Sequence, residues 1–192
     1  LKHDHVAIEL EETKGVKGAL FYNDPRRFGF MSVGAQTTLE EENFSHLGVE
    51  PMGKNFHVAY LCAKLQARKT SIKSALLDQS IVAGLGNIYV CEALWRSAIS
   101  PLRRCEDLMA DPQAPQIMQL LQKNIRKVLQ EAITSGGSSL RDYVHIDGKK
   151  GYFQHQFAVY NRENKACLHC GALIKRIKQN GRSSFYCPSC QH

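Results

Sequence analysis

The sequence predicts an α+β chain in which short strands flank a helical middle. Residues 6–10 and 19–33 alternate between apolar and polar types and are broken by glycines, as in strands and hairpins. Between residues 57 and 133 apolar residues recur instead at helical spacing. From residue 153 short strand-like pieces return around four paired cysteines, which indicates a separate small module.

Composition narrows the class of protein. With 192 residues and 43% hydrophobic content the chain can bury a core. No apolar run reaches the length of a membrane span and no signal peptide is visible, so we expect a soluble cytoplasmic protein without a membrane partner. The net charge of +7 favours polyanionic partners, although a merely soluble basic surface would show the same excess.

The order of the patterns predicts five segments. The alternating Val6–Leu10 run follows Leu1 almost at once, as in a strand entered in mid-domain, so we expect further residues upstream. The helical stretch ends at a serine- and glycine-rich segment from Thr134, which suits a helix end and a loop. The predicted segments are a β region at 1–36, a connector at 37–56, a helical domain at 57–136, a loop at 137–152 and a cysteine module at 153–192.

Two C-x-x-C pairs predict a metal site in the last segment. Cys167 and Cys170 form one pair, and Cys187 and Cys190 form the other, with sixteen residues between them. Structural zinc prefers four thiolates in a closed tetrahedron, and two such pairs supply them. The alternatives are two disulfides or a redox pair, and neither explains both pairs in a cytosolic chain. We therefore expect one structural Zn²⁺; Cys62, Cys91 and Cys105 are interpreted as buried, inert thiols.

A basic hairpin is predicted between the two cysteine pairs. Asn180-Gly181 is a strong hairpin-turn signal, so Arg182 should lie near the tip. Three further basic residues precede the turn: Lys175, Arg176 and Lys178. Such a hairpin suits docking into a DNA groove, whereas the alternative is a solvated basic surface.

A glycine-rich turn in the helical domain suggests an anion site. Gly84 and Gly86 precede Asn87, a good N-cap for the helix that follows. The amides at such a helix start, together with its positive end, suit a phosphate. An ordinary capped turn between two helices would look the same, and the nucleotide-binding P-loop is excluded because no Gly-Lys-Ser/Thr follows.

Taken together, four stretches of this sequence resemble formamidopyrimidine-DNA glycosylases. They are Asp24–Gly29, Lys73–Trp95, Gly137–Tyr143 and Gly181–Pro188, in this order, and the resemblance spans essentially the whole chain. It implies the remnant of an N-terminal β-sandwich, a helix–two-turns–helix domain and a zinc-finger hairpin. It also implies that the protein excises oxidised purines such as 8-oxoguanine from damaged double-stranded DNA and then cleaves the strand. The protein is expected to be a monomer that associates with the bacterial nucleoid.

The resemblance also assigns roles to individual residues. Lys73, Asn87 and Arg182 match positions that hold phosphates flanking the lesion, and Arg26 and Phe28 match a wedge that fills the gap left by the flipped base. From the residues alone, Phe28 would be an ordinary strand core residue. The segment from Ser138 to Tyr152 matches a lid that reads the flipped base, with five residues expected to contribute: Ser138, Leu140, Arg141, Asp142 and Tyr143.

The start of the chain departs from the family pattern. The family's nucleophile is an N-terminal proline followed by glutamate, and Leu1-Lys2 matches neither. We therefore expect no catalytic residue in these 192 residues, and DNA binding without catalysis. Two other functions stay open: a non-catalytic zinc-ribbon module that binds nucleic acid, and an endonuclease VIII-like glycosylase for oxidised pyrimidines. The predicted lid favours the purine branch, since the endonuclease VIII group generally lacks one.

Overall fold

A computed structural model of the chain describes residues 2–11, 17–25, 27–137 and 151–192. The chain divides into two compact units, residues 1–45 and 46–192. Within the described residues no helix is long and apolar enough to cross a membrane. The mixture of helices with two small antiparallel sheets confirms the α+β prediction.

The first unit is a hairpin followed by a helix. Strand β1 (Asp4–Glu11) pairs antiparallel with β2 (Lys17–Asn23), and Ile8 lies opposite Leu20. Helix α1 (Gln36–Phe44) lies where the sequence predicted an irregular connector. Strands and hairpins were predicted over residues 19–33, but β2 ends at Asn23 and residues 27–33 have no regular secondary structure.

The second unit begins with five helices around one core. They are α2 (Val58–Leu65), α3 (Ile72–Leu76), α4 (Asn87–Arg96), α5 (Cys105–Ala110) and α6 (Ala114–Thr134). Their apolar faces meet in one cluster of buried side chains, in which Leu61, Leu76, Leu94 and Leu121 are fully buried. The helical periodicity read from the sequence is confirmed, because most of its apolar positions form this core; Leu120 and Ile133 are exposed instead.

Two tight turns connect α3 to α4, and the side chains of two adjacent polar residues hold them. Asp78 accepts hydrogen bonds from the backbone and hydroxyl of Ser80, at 3.0 and 2.6 Å. Gln79 accepts from the Gly84 amide at 2.7 Å and donates to the carbonyl of Leu85 at 3.3 Å. These local bonds give the backbone an alternative to continuing the helix, so α4 starts in a fixed place.

The last part of the second unit is the predicted cysteine module. A short 3-10 turn (Phe153–Gln156) leads to a hairpin of β3 (Lys175–Gln179) and β4 (Arg182–Tyr186). Asn180 and Gly181 form its turn with φ values of 46° and 77°, the left-handed pair that a two-residue hairpin turn requires. A second, smaller apolar cluster, which includes Cys91 of α4 and Phe185 of β4, joins this module to the helices.

Candidate metal centre and nucleic-acid interface

The four paired cysteines converge on one point. The sulfur atoms of Cys167, Cys170, Cys187 and Cys190 all lie within 4.8 Å of one another. Two of the separations are 3.9 Å (Cys167 to Cys190) and 3.5 Å (Cys170 to Cys187). Tetrahedral zinc with Zn–S bonds of about 2.3 Å places its sulfurs about 3.8 Å apart, so the cluster fits this metal. Disulfide bonds need about 2.05 Å, which neither separation approaches.

Neighbouring groups prepare one of these thiols to bind as a thiolate. Burial by itself would raise the pKa of Cys167, but the amides of Cys170 and His169 and the indole of Trp95 outweigh it and lower that pKa to about 6. The pKa of Cys190 is raised, chiefly by its hydrogen bond with Cys170. The lowered pKa favours the thiolate form of Cys167, which is the form that binds a metal.

The three scattered cysteines play no part in this centre. Cys91 and Cys105 are buried, as predicted, whereas Cys62 is only partly buried. Burial raises the pKa of both the Cys91 and the Cys105 thiol. Raised pKa values keep these thiols protonated and unreactive at neutral pH, in agreement with the prediction that they are inert.

A buried carboxylate ties the cysteine module to α4. Glu92 is 0% exposed and accepts three backbone hydrogen bonds, from the amides of Ala158, Val159 and Tyr160, at 2.9, 3.0 and 2.8 Å. Those amides belong to the segment that enters the module, so this side chain is one of the attachments between the module and the helices. Glu92 was not among the predicted site residues, and its only signal in the sequence is an acidic residue on an otherwise apolar helix face.

Lys73, Asn87 and Arg182 lie together, although the chain separates them by up to 109 positions. The Lys73 ammonium and the Asn87 amide both donate to the carbonyl of Ser183, at 3.2 and 3.0 Å. Arg182, the residue before Ser183, is exposed at the start of β4. We refer to Lys73, Asn87, Arg182 and Ser183 as the basic cluster. The structure thus brings together three residues that the sequence analysis grouped.

In the basic cluster a buried cation lies close to other polar groups. Lys73 is only 1% exposed. Burial lowers the pKa of its ammonium, and the nearby positive charge of Arg182 lowers the same pKa further. The Oδ1 atom of Asn87 is buried and has no hydrogen-bond partner among the residues that the structure describes. A nearby anion would offset the repulsion between the two cations.

The role of Asn87 in its helix differs from the prediction. Gly86, and not Asn87, is the N-cap of α4, with φ −96° and ψ 170°, and its carbonyl accepts from Val90 at 3.0 Å. Asn87 is the first helical residue. Its side chain is turned toward Ser183 of the hairpin instead of toward the amides of its own helix. The sequence could not show this, because the competing acceptor lies 96 residues away.

Of the four basic hairpin residues, Arg176 is committed to the protein itself. Its guanidinium pairs with Glu163 at 3.5 Å and lies 5.9 Å from the ring centre of Phe185. Lys175, Lys178 and Arg182 are exposed. The predicted basic hairpin therefore presents four exposed cations, of which Arg176 is paired with Glu163 and Arg182 lies beside Lys73.

In the first unit, Phe28 lies on a turn that a single side chain organises. Asp24 accepts from the amides of Arg27 and Gly29, at 2.9 and 2.7 Å, and from the Tyr22 hydroxyl at 3.2 Å. A Cβ at Gly29 would lie 2.1 Å from that hydroxyl, so a larger residue there would displace the Tyr22 side chain. We call Asp24, Arg27, Phe28 and Gly29 together the Phe28 turn. It presents Phe28 with 79% of its surface exposed, so the alternative that Phe28 is a core residue is wrong within this chain.

Several predicted site residues lie outside the described residues. They are Arg26 of the wedge and the lid residues Ser138, Leu140, Arg141, Asp142 and Tyr143. Their roles stay predictions from the resemblance. Asp24 was quoted for the resemblance without a role, and its hydrogen bonds now supply one.

Two family models match this chain. The model described as the formamidopyrimidine-DNA glycosylase H2TH domain matches residues 47–144, which is about half of the chain. The model described as the zinc finger found in FPG and IleRS matches residues 164–192. The second match covers all four cysteines of the cluster. With the sulfur geometry, it shows that the chain carries one structural zinc site.

Known proteins resemble the chain over its full length. A formamidopyrimidine-DNA glycosylase of Bartonella henselae is 53% identical over all of this chain, which spans 66% of that relative. A complex between Lactococcus lactis Fpg and abasic-site DNA is 36% identical with a TM-score of 0.83, covering all of this chain and 67% of the other. MutM in complex with DNA containing carbocyclic 8-oxo-G is 35% identical with a TM-score of 0.81, with the same coverage.

Proposed function

The chain belongs to the formamidopyrimidine-DNA glycosylase family, and from this premise we propose that the protein repairs DNA by excising oxidised purines, with associated cleavage of the strand at the abasic site. The observation that carries the proposal is the basic cluster, in which a zinc-held hairpin brings Arg182 next to Lys73 and Asn87. Because this chain spans about two thirds of the length of the relatives it matches, the catalytic activity is proposed for the whole protein.

The basic cluster suits the backbone of DNA. Exposed Arg182 offers a guanidinium, which binds phosphate oxygens in a bidentate manner. Asn87 uses one amide hydrogen on Ser183 and has a second, so a phosphate can add to its contacts without breaking the existing bond. Lys73 is covered in the unbound chain, so its direct contact with a phosphate requires that covering groups move; until then it supplies positive charge beneath the site.

We propose that the Phe28 turn serves the damaged site rather than the backbone. Flipping a base out of the duplex leaves a gap and costs a few kcal/mol of lost stacking and pairing. An exposed aromatic ring on a fixed turn offsets part of that cost by stacking in the gap. The hydrogen bonds of Asp24 keep the turn in shape, so the ring does not have to be ordered when DNA binds.

Oxidised purines are the proposed substrates because the relatives bear the name of a formamidopyrimidine-DNA glycosylase and one matched structure holds DNA with an 8-oxo-G analogue. Within this chain the described residues bind and orient DNA. The chemical step is assigned by the resemblance to the family's N-terminal proline.

The test uses the whole protein on three duplexes that carry 8-oxoguanine, an oxidised pyrimidine or no lesion. We expect excision of 8-oxoguanine at least about tenfold faster than of the pyrimidine, a difference of about 1.4 kcal/mol in barrier, and a covalent adduct upon borohydride treatment. Faster excision of the pyrimidine would favour the endonuclease VIII-like alternative. Binding without any excision would favour the non-catalytic module.

We further propose that the protein works as a monomer in the cytoplasm, associated with the nucleoid through DNA. A zinc site built from reduced thiols suits a reducing compartment. Light scattering of the purified protein should give the mass of one chain, with and without a short duplex. A dimer mass in the absence of DNA would contradict the monomer.

A further inference from the structure

The tip of the hairpin is fastened to the start of α3 by uncharged polar side chains. Gln179, the last residue of β3, donates to the Ser71 hydroxyl at 3.4 Å and to the Pro101 carbonyl at 3.1 Å. The side-chain oxygen of Gln179 accepts a hydrogen bond from the hydroxyl of Ser184, a residue that is fully buried. The side chain therefore holds both its own hairpin and the helical domain.

The next residue makes a second attachment to the same helix start. Asn180, in the hairpin turn, donates to the Ser74 hydroxyl at 2.9 Å. Ser74 is 2.9 Å from the Ser71 hydroxyl, which in turn caps α3 by accepting from the Ser74 amide. Gln179 and Asn180 thus attach to one pair of linked serines that begins α3.

These attachments flank the two cations of the basic cluster. Lys73 lies between Ser71 and Ser74 in sequence, and Arg182 is the strand partner of Gln179. The two positive charges are near enough for Arg182 to lower the pKa of the Lys73 ammonium, so they repel each other in the absence of DNA. The hydrogen bonds of Gln179 and Asn180 hold the hairpin tip beside α3 without adding charge to a surface that faces an anion.

We propose that Gln179 and Asn180 are positioning residues that lock the hairpin tip onto the start of α3 and so set the spacing between Lys73 and Arg182 before DNA arrives. This inference rests on the proposed function of the basic cluster. Affinity is gained because a prearranged pair of cations loses less conformational freedom on binding. Neither residue needs to touch DNA, so its effect should depend on Arg182.

The experiment measures DNA binding by fluorescence anisotropy, with the 192-residue chain and a duplex at fixed salt. Gln179→Met keeps the side-chain volume and removes the hydrogen bonds, while Asn180→Gly keeps a left-handed turn and removes the amide. Gln130→Met, on the exposed side of α6, is the matched control. The two tip substitutions are combined and are also placed in an Arg182→Ala background.

We expect the double tip variant to bind DNA about 5- to 10-fold more weakly than the parent, with its zinc content unchanged. In the Arg182→Ala background the same two substitutions should weaken binding less than about 2-fold, because the effects of coupled residues are not additive. Equal loss in both backgrounds, or no loss in either, would overturn the inference. If Arg182→Ala alone left binding unchanged, the proposed function would fail first and the inference with it. Should the double variant lose zinc, the two single substitutions, each keeping one attachment, carry the same comparison.

Discussion

The Phe28 turn and the basic cluster are both held by hydrogen bonds to one acceptor residue, but they are assembled over very different distances along the chain. In the turn, Asp24 organises residues no more than five positions away. In the cluster, the Ser183 carbonyl collects donors 96 and 110 positions away. A local turn forms wherever its residues are present, whereas the cluster exists only when the zinc module is folded against α3 and α4. Removing the metal should therefore disrupt the basic cluster and leave the Phe28 turn in place.

The largest effect should follow zinc removal. Structural zinc contributes on the order of 10 kcal/mol in small modules, so a chelator should unfold the hairpin and the cysteine pairs and dissolve the basic cluster. The helical core should persist because its cluster of buried side chains is largely separate from the one around the cysteines. Circular dichroism should retain most of the helical signal while DNA binding falls at least about 100-fold, or 2.7 kcal/mol. Full binding by zinc-free protein, verified by elemental analysis, would show that the cluster does not depend on the metal.

Loss of Glu92 should have the next largest effect. Glu92→Ala leaves three buried amides without their acceptor, at a cost of about 3–5 kcal/mol in the free energy of unfolding. Thermal unfolding should shift strongly, and zinc should exchange faster because the segment entering the module loosens. Glu106→Gln, in an exposed pair with Arg104, is the control and should change stability by less than about 1 kcal/mol. Similar shifts for both variants would mean that the buried carboxylate is not a special attachment.

The third largest effect is expected from substitutions in the basic cluster. Arg182→Ala and Lys73→Ala should each weaken binding about tenfold, equally for damaged and undamaged duplex, because phosphate contacts carry no sequence information. Each should reduce the dependence of log K on log salt by about one unit, whereas neutral Asn87→Ala should weaken binding without changing that slope. Lys178→Ala, an exposed hairpin cation outside the cluster, is the control. A loss confined to damaged DNA would refute the assignment to the backbone.

The smallest effect on affinity should come from the Phe28 turn. Phe28→Ala should weaken binding to a duplex with an abasic site by about 1 kcal/mol, roughly fivefold, and leave binding to undamaged duplex and the salt dependence unchanged. Phe30→Ala removes a similarly exposed ring two residues away, 71% exposed, and should have no such selectivity. If both duplexes were affected alike by Phe28→Ala, the ring would not be acting in the gap of a flipped base.

The sequence by itself determined the features that depend on near neighbours. The cysteine pairs specified a four-sulfur site because zinc geometry fixes which residues and spacings can serve. Asn180-Gly181 specified the hairpin turn because few residues adopt its left-handed backbone. Helical periodicity located α2, α3 and α6, and the glycine turn before Asn87 indicated α4. The turn around Phe28 is also local, but its organiser, Asp24, was visible only as part of a motif.

Only the tertiary structure decided how distant residues are paired. Asn87 looked like an N-cap because a cap is its commonest local role, yet a carbonyl from the far end of the chain takes its amide instead. Glu92 and Gln179 are residue types that usually lie on the surface. In the fold, Glu92 accepts hydrogen bonds from three amides, and Gln179 donates one to the start of α3. A polar side chain is satisfied by whichever donor or acceptor the fold brings near, and local sequence does not contain that partner.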